Sequence, residues 1–170
     1  IQTNELDAIM KEPATDMHMT GTVVAPALSD QPLMVNQGVF NLFVPALNDP
    51  ETQHMRYRMT MTTEEGREYY MEGQKNIRDD PGFDAWSDTT TLYITLHDGP
   101  DRSAPVMGSG VLRLTPTDFT KQLTTMQVLN ASNRIERLGA LARFGRLFAR
   151  DLLDLYGGVL AKILKPEPQA

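Results

Sequence analysis

The stretch that most constrains the fold runs from residue 55 to residue 77 and reads MRYRMTMTTEEGREYYMEGQKNI. Its first half alternates apolar and polar side chains, which is the period of a β-strand, because successive strand residues point to opposite faces. Glu64, Glu65 and Gly66 then form a turn signal, since Gly66 can adopt the positive φ of a tight turn. Aromatic residues favour a returning strand after it. The stretch therefore predicts a β-hairpin. One face of its first strand would carry Met55, Tyr57, Met59 and Met61.

Length and composition indicate one domain that can bury a core without crosslinks, because the chain has 170 residues. Cysteine is absent, so a disulfide framework, a thiolate nucleophile and a Cys-based metal site are excluded. The formal charge of -6 argues against nucleic acid as a partner. No apolar run approaches the roughly 20 residues of a transmembrane segment. These observations predict a soluble domain and favour a cytoplasmic or peripheral location.

Further strands are predicted where β-branched and apolar residues lie between turn-formers. The strongest signal is TTTLYITL at residues 89–96, which places Leu92, Ile94 and Leu96 on one face. Gly38 predicts a bend between two short strands, and residues 45–53 predict a polar loop. The remaining predicted strands are residues 17–25, 33–35, 39–44, 107–114 and 125–129.

Helix signals lie at the two ends of the chain. A short helix within residues 1–12 is stopped by Pro13. Thr115 and Pro116 predict the cap and first position of a second short helix. Asn133 caps an amphipathic helix predicted over about residues 133–156, whose apolar residues recur at helical spacing.

Together these elements predict a mainly β fold: an antiparallel β-barrel of the lipocalin or calycin type, or a sandwich, with a C-terminal amphipathic helix. Residues 1–16 would be an N-terminal extension. Residues 17–165 would form the single barrel domain, and residues 166–170 a linker-like tail.

A small barrel can enclose one apolar ligand, and methionine and aromatic side chains adapt to irregular apolar shapes. The alternative is a barrel filled by its own side chains. If the barrel is hollow, the predicted ligand-binding residues are Tyr57, Met59, Tyr70, Trp86, Leu92 and Ile94.

Catalytic motifs are missing from the sequence. There is no nucleophile elbow, no zinc-binding His-Glu-x-x-His, no phosphate loop and no dinucleotide fingerprint. His97 stands beside Asp98, but neighbouring strand residues point to opposite faces, so the sequence does not predict a dyad. The residues predict no catalytic site and leave open whether the chain is an enzyme.

An aspartate-rich loop follows the hairpin. Its carboxylates are ligands that calcium prefers, but their spacing does not match the EF-hand loop. Turn formation in a solvated loop is the favoured interpretation, and no metal site is predicted. The residues concerned are Asp79, Asp80, Asp84 and Asp88.

Several phrases resemble a segment of large bacterial proteins related to cholesterol oxidases. They are GVFNLFV, MRYRM, EGREYYMEGQK, RDDPGFDAWSDTTTLYITLHDG and GVLRLTPTDFTKQLTTMQV, and the resemblance covers residues 17–158. In that family a flavin-dependent oxidoreductase region of the glucose-methanol-choline type is joined to further regions, one of them similar to α/β-hydrolases. GREYYMEGQK also resembles the middle of lipocalin-like barrels.

The resemblance implies a non-catalytic module that binds a lipid or sterol, or packs against neighbouring domains of the parent chain. FAD would be bound elsewhere in the parent protein, because no flavin-binding or catalytic residue of the family matches a position here. Two alternatives remain from the residues alone: a small independent barrel enzyme acting on an apolar ligand, and a purely structural interaction domain.

Overall fold

Six strands form one antiparallel sheet in the computed structural model of the chain. They are β1 Met17–Val23, β2 Leu33–Ala46, β3 Asp49–Thr62, β4 Glu68–Arg78, β5 Thr91–His97 and β6 Val106–Arg113. Each strand pairs with the next along the chain, so the sheet is a meander with β1 and β6 at its edges. The structure describes residues 1–3, 6–12, 14–78, 90–129 and 131–146. The mainly β, antiparallel fold is as predicted, and closure of the sheet into a barrel stays a prediction.

The predicted hairpin of residues 55–77 is confirmed as β3 and β4. Met59 pairs with Met71 in their register, so the alternating apolar residues of both strands share one face. Gly66 turns the chain with a φ of 85°, a conformation that glycine adopts without steric cost. The buried Thr63 holds the turn, since its hydroxyl accepts a hydrogen bond from the backbone N–H of Arg67 at 3.1 Å.

Two predicted interruptions of the sheet are wrong. The chain does not bend at Gly38, because β2 continues through it and a register shift between Val35 and Gln37 takes up the irregularity. Glycine is needed there for close packing, since a Cβ would lie 2.9 Å from the Cβ of Met19. The predicted loop at 45–53 is mostly strand, because pairing between β2 and β3 extends to the turn and overrides the local turn-formers.

The predicted last strand at residues 125–129 is also wrong. These residues form a turn and irregular backbone after the second helix. Thr125 is the reason, because its backbone N–H and its hydroxyl both donate to the carbonyl of Gln122, at 3.1 and 2.7 Å. The chain is therefore tied back to the helix it has just left, and β6 gains no further strand in the part of the chain that the structure describes.

Three helices lie outside the sheet in the described residues: α1 Leu6–Lys11, α2 Pro116–Thr124 and α3 at residues 134–146. The predicted caps are confirmed. Thr115 accepts a hydrogen bond from the backbone of Asp118 at 3.2 Å, and Asn133 accepts one from the backbone of Glu136 at 2.9 Å. The predicted continuation of α3 beyond residue 146 and the aspartate-rich loop lie outside the described residues. Within them, no helix has the length and apolar character needed to cross a membrane.

Two clusters of buried side chains form the core, at opposite ends of one face of the sheet. Along β3, Met55 belongs to the first cluster and Met61 to the second. Half-buried Tyr57 and Met59 lie between them, and Met59 packs against both. The first cluster comprises Ile9, Met17, Met19, Phe40, Leu42, Phe43, Met55 and Ile77, and the second Leu33, Val35, Met61, Tyr69 and Met71.

Candidate functional site

The candidate site is the middle of the apolar face, between the two core clusters. Strand alternation and register place six residues there on β3, β4 and β5. We call them the central patch: Tyr57, Met59, Gly73, Lys75, Leu92 and Ile94. All except Gly73 are half-buried, although the clusters on both sides are fully buried. The patch is therefore an incompletely covered part of an otherwise covered apolar face.

Four of the six predicted ligand-binding residues meet in the central patch: Tyr57, Met59, Leu92 and Ile94. Tyr70 lies on the opposite face, where its ring makes an edge contact with the imidazole of His97 at 5.8 Å between centroids. Trp86 lies outside the described residues. The structure thus brings together predicted residues from β3 and β5, which are separated by about thirty positions in sequence, and separates Tyr70 from them.

Gly73 shapes the floor of the patch. It pairs with Tyr57 on one side and with Ile94 on the other. A Cβ at Gly73 would lie 3.0 Å from the Cδ1 atom of Leu92, so the leucine side chain occupies the space above the glycine. A larger residue here would displace Leu92, and glycine lets the side chains of β5 lie close to the backbone of β4.

Lys75, like Gly73, belongs to the patch but was not predicted from the sequence. Its ammonium lies 5.7 Å from the centre of the Tyr57 ring, within the range of a cation–π contact. No carboxylate or hydrogen-bond acceptor of the described residues contacts it. Burial lowers the pKa of Lys75 and raises the pKa of Tyr57, because both lose water around the form that carries charge. The signal was present: Lys75 occupies an apolar position of the alternation that runs through Tyr69, Met71 and Ile77.

Replacing Lys75 with methionine is expected to raise the free energy of unfolding at pH 7 by about 1 kcal/mol, because the apolar stem stays and the poorly hydrated charge is removed. The pKa of Lys75 lies below its ordinary 10.5 in the folded chain, so the unfolded chain binds the proton more tightly. The contribution of Lys75 to the stability of the native chain therefore rises with pH between the lowered value and 10.5. Urea unfolding of both proteins at pH 7 and pH 10 should show the advantage of Lys75→Met shrinking at the higher pH. A pH-independent difference would contradict this explanation.

The opposite face carries a histidine–glutamate–arginine cluster. His97 is 4% exposed, and its Nδ1 lies 2.8 Å from the carbonyl oxygen of Ala104. Its buried Nε2 lies 3.8 Å from Oε1 of Glu72, too far for a hydrogen bond, while Oε2 of Glu72 pairs with Arg102 at 3.3 Å. The imidazole is held by backbone and closed off from solvent, so this arrangement does not present a general base to a substrate.

The other histidine and aspartate side chains considered as catalytic candidates do not form a dyad. Asp98 pairs with Arg67 at 3.0 Å and not with its neighbour His97. His18 and His54 also lie on the face opposite the central patch, and burial lowers the pKa of His54, with nearby Arg56 acting in the same direction. Among the residues that the structure describes, no three His, Asp or Glu side chains are grouped to hold a metal ion.

An open depression of about 320 Å³ lies beside the hairpin turn, away from the central patch. Most of its lining is polar, including Asp30, Thr63 and Arg67. Such a surface suits water or a small polar molecule and not an apolar one. The depression and the patch therefore differ in the chemistry that they can recognise.

Comparisons with known proteins identify no relative of the chain. No family model, no curated protein and no solved structure matches the chain. The fold and the site define a six-stranded antiparallel meander with a half-buried apolar patch on one face. The relation to cholesterol-oxidase-like proteins stays a prediction.

Proposed function

We propose that this domain is a non-catalytic module that binds a lipid-sized apolar molecule on the central patch. The observation that carries the proposal is the contrast along β3, where half-buried Tyr57 and Met59 lie between fully buried Met55 and Met61. An apolar face left incompletely covered at its centre is a typical surface for an apolar ligand. Methionine and aromatic side chains suit such a ligand because they adapt to its shape.

The edge strand β6 carries exposed apolar residues on both of its faces. Leu112, which is 52% exposed, pairs with Leu92 and extends the patch, whereas Val106, which is 61% exposed, and Val111 pair with residues of the opposite face. Gly110, beside Ile94 in the register, leaves the side chain of Ile94 uncovered on that side. An edge strand that is apolar on both faces also supports the second candidate function, packing against a neighbouring domain of the parent chain.

An independent enzyme on the same sheet has less support. The three histidines of the chain lie on the face opposite the central patch. His97, which lies near the carboxylate of Glu72, is buried. The patch itself offers one ammonium and one phenol for recognition and no carboxylate among its six residues.

The wider setting that we propose is a multidomain flavin-dependent oxidoreductase acting on sterols or other lipids. The support is the set of phrases that resemble cholesterol-oxidase-related proteins. In that setting FAD and the catalytic residues belong to another region of the parent chain. This module would hold or present the apolar substrate.

The test is native mass spectrometry of the purified domain after incubation with a panel of sterols and fatty acids, with denatured protein as background. Ile94→Thr changes the patch, and Tyr93→Thr is the matched control, because Tyr93 is the neighbouring residue on β5 and points to the opposite face. Both substitutions introduce a β-branched residue that favours strands.

We expect one lipid retained per chain by the native protein and by Tyr93→Thr, and a loss of about tenfold or more in Ile94→Thr. Circular dichroism checks that both variants are folded. The proposal fails if the native chain retains no lipid, or if folded Ile94→Thr binds as well as the native chain. If the native chain retains none of the lipids, the second candidate function, packing against a neighbouring domain through β6, would be favoured.

A further inference from the structure

Lys75 gives the central patch a positive charge for which the described residues supply no counter-ion. An ammonium on a half-buried apolar surface loses hydration, which costs free energy unless a partner compensates. Among the described residues, the ring of Tyr57 at 5.7 Å is the contact of the ammonium, and it replaces only part of that hydration. A methionine or leucine at this position would continue the alternation of β4 without that cost.

No carboxylate of the described residues forms an ion pair with Lys75, and three carboxylates of the sheet and its neighbouring segments have other partners. Asp16 accepts from Asn41 on the other face. Glu72 pairs with Arg102, and Asp98 pairs with Arg67. Lys75 is therefore a donor held in place on an apolar surface, with the partner missing from the described part of the fold.

We propose that the ligand of the central patch is an amphiphile with an anionic head, a long-chain carboxylate, whose head pairs with the ammonium of Lys75. Its hydrocarbon chain lies against Met59 and Ile94, on the side of the patch that leads to the second core cluster. The inference rests on the proposed function and narrows it, because a neutral sterol would leave Lys75 without a partner.

Charge complementarity decides between the two ligand classes. A charge-assisted hydrogen bond between an ammonium and a carboxylate is roughly twice as strong as one between neutral groups, and weak hydration of the site strengthens it. An alcohol or an ester offers only a neutral oxygen. The carboxylic acid should therefore bind about tenfold or more tightly than a neutral lipid with the same chain.

The experiment measures retention of palmitic acid, its methyl ester and hexadecanol, which share one chain length and differ at the head. The proteins are the native chain, Lys75→Met, Lys75→Gln, Lys75→Arg and the control Lys121→Met, which removes an exposed lysine of α2. Lys75→Met keeps the apolar stem, Lys75→Gln is a second neutral variant, and Lys75→Arg keeps the charge.

The native chain and Lys121→Met should prefer the acid to the ester by about tenfold or more, and Lys75→Arg should retain much of this preference. Both neutral variants should bind the three lipids alike. If the native chain binds the acid and the ester equally, and Lys75→Met does the same, the ligand does not need an anionic head. The proposal of an apolar binding site would then still hold. Retention of none of the lipids overturns both the inference and the proposed function.

Discussion

Truncating Met61 to alanine is expected to lower the free energy of unfolding by about 2–5 kcal/mol, the range for removing a large buried side chain from a core. Met61 is 2% exposed and packs in the second cluster with residues of β2 and β4, so neighbouring side chains cannot easily collapse into the space. Urea unfolding followed by circular dichroism measures the loss.

Met59→Ala is the matched control, because Met59 lies on the same strand and the same face two residues earlier. Its side chain is half-buried, so we expect a loss of about 1 kcal/mol together with weaker lipid retention. Comparing the two truncations distinguishes a core residue from a site residue. Met61 stabilises the fold, and Met59 contacts the proposed ligand. Equal destabilisation by the two truncations would mean that the central patch is part of the core and would contradict the proposed site.

Replacing Asn41 with alanine is expected to cost about 3 kcal/mol, because this buried amide makes three hydrogen bonds at once. Its Nδ2 donates to the carbonyl of Ala14 at 2.8 Å and to the carboxylate of Asp16 at 2.6 Å, and its Oδ1 accepts from Arg58 at 2.8 Å. The amide thereby ties the segment before β1 to β2 and β3. Its loss removes the side-chain donor from the carbonyl of Ala14 and from the carboxylate of Asp16.

Asn76→Ala is the control for Asn41→Ala, since Asn76 is an exposed residue of β4 whose amide oxygen accepts a hydrogen bond from Gln74 at 2.8 Å. We expect a change of about 0.5 kcal/mol or less, as for most surface substitutions. Urea unfolding and hydrogen exchange of the β1 amides measure both variants. If Asn41→Ala changes stability as little as Asn76→Ala, the amide does not hold the N-terminal segment in place.

The alternation of apolar and polar residues along the strands could be predicted from the sequence because its cause is local. A period of two residues places Tyr57 and Met59 on one face whatever the rest of the chain does, and the same holds for Leu92 and Ile94. The turn at Gly66 and the caps at Thr115 and Asn133 were equally predictable, since each depends on a few adjacent residues. These local rules supplied four residues of the candidate site.

The adjacent tyrosines of β4 show what local sequence patterns do not determine, namely which of two neighbouring residues faces the core. Tyr69 and Tyr70 are chemically alike, and the register set by the hairpin turn determines which of them faces the core. Tyr69 is buried in the second cluster, and Tyr70 contacts His97 on the other face. The error at residues 45–53 has a related cause, because pairing with a partner strand overrode turn-forming residues.

The amino-acid sequence was thus sufficient for the β class, the organising hairpin and the apolar character of one face, because these follow from interactions between near neighbours in the chain. Lys75 had a different status. The sequence shows that Lys75 occupies an apolar position of the alternation. It does not show whether the side chain turns toward solvent or pairs with a distant carboxylate. Strand pairing sets it beside Tyr57, while Glu72 and Asp98 pair with arginines. The electrostatics of the site depend on distances between side chains of different strands and on where the carboxylates find partners, which the tertiary structure establishes.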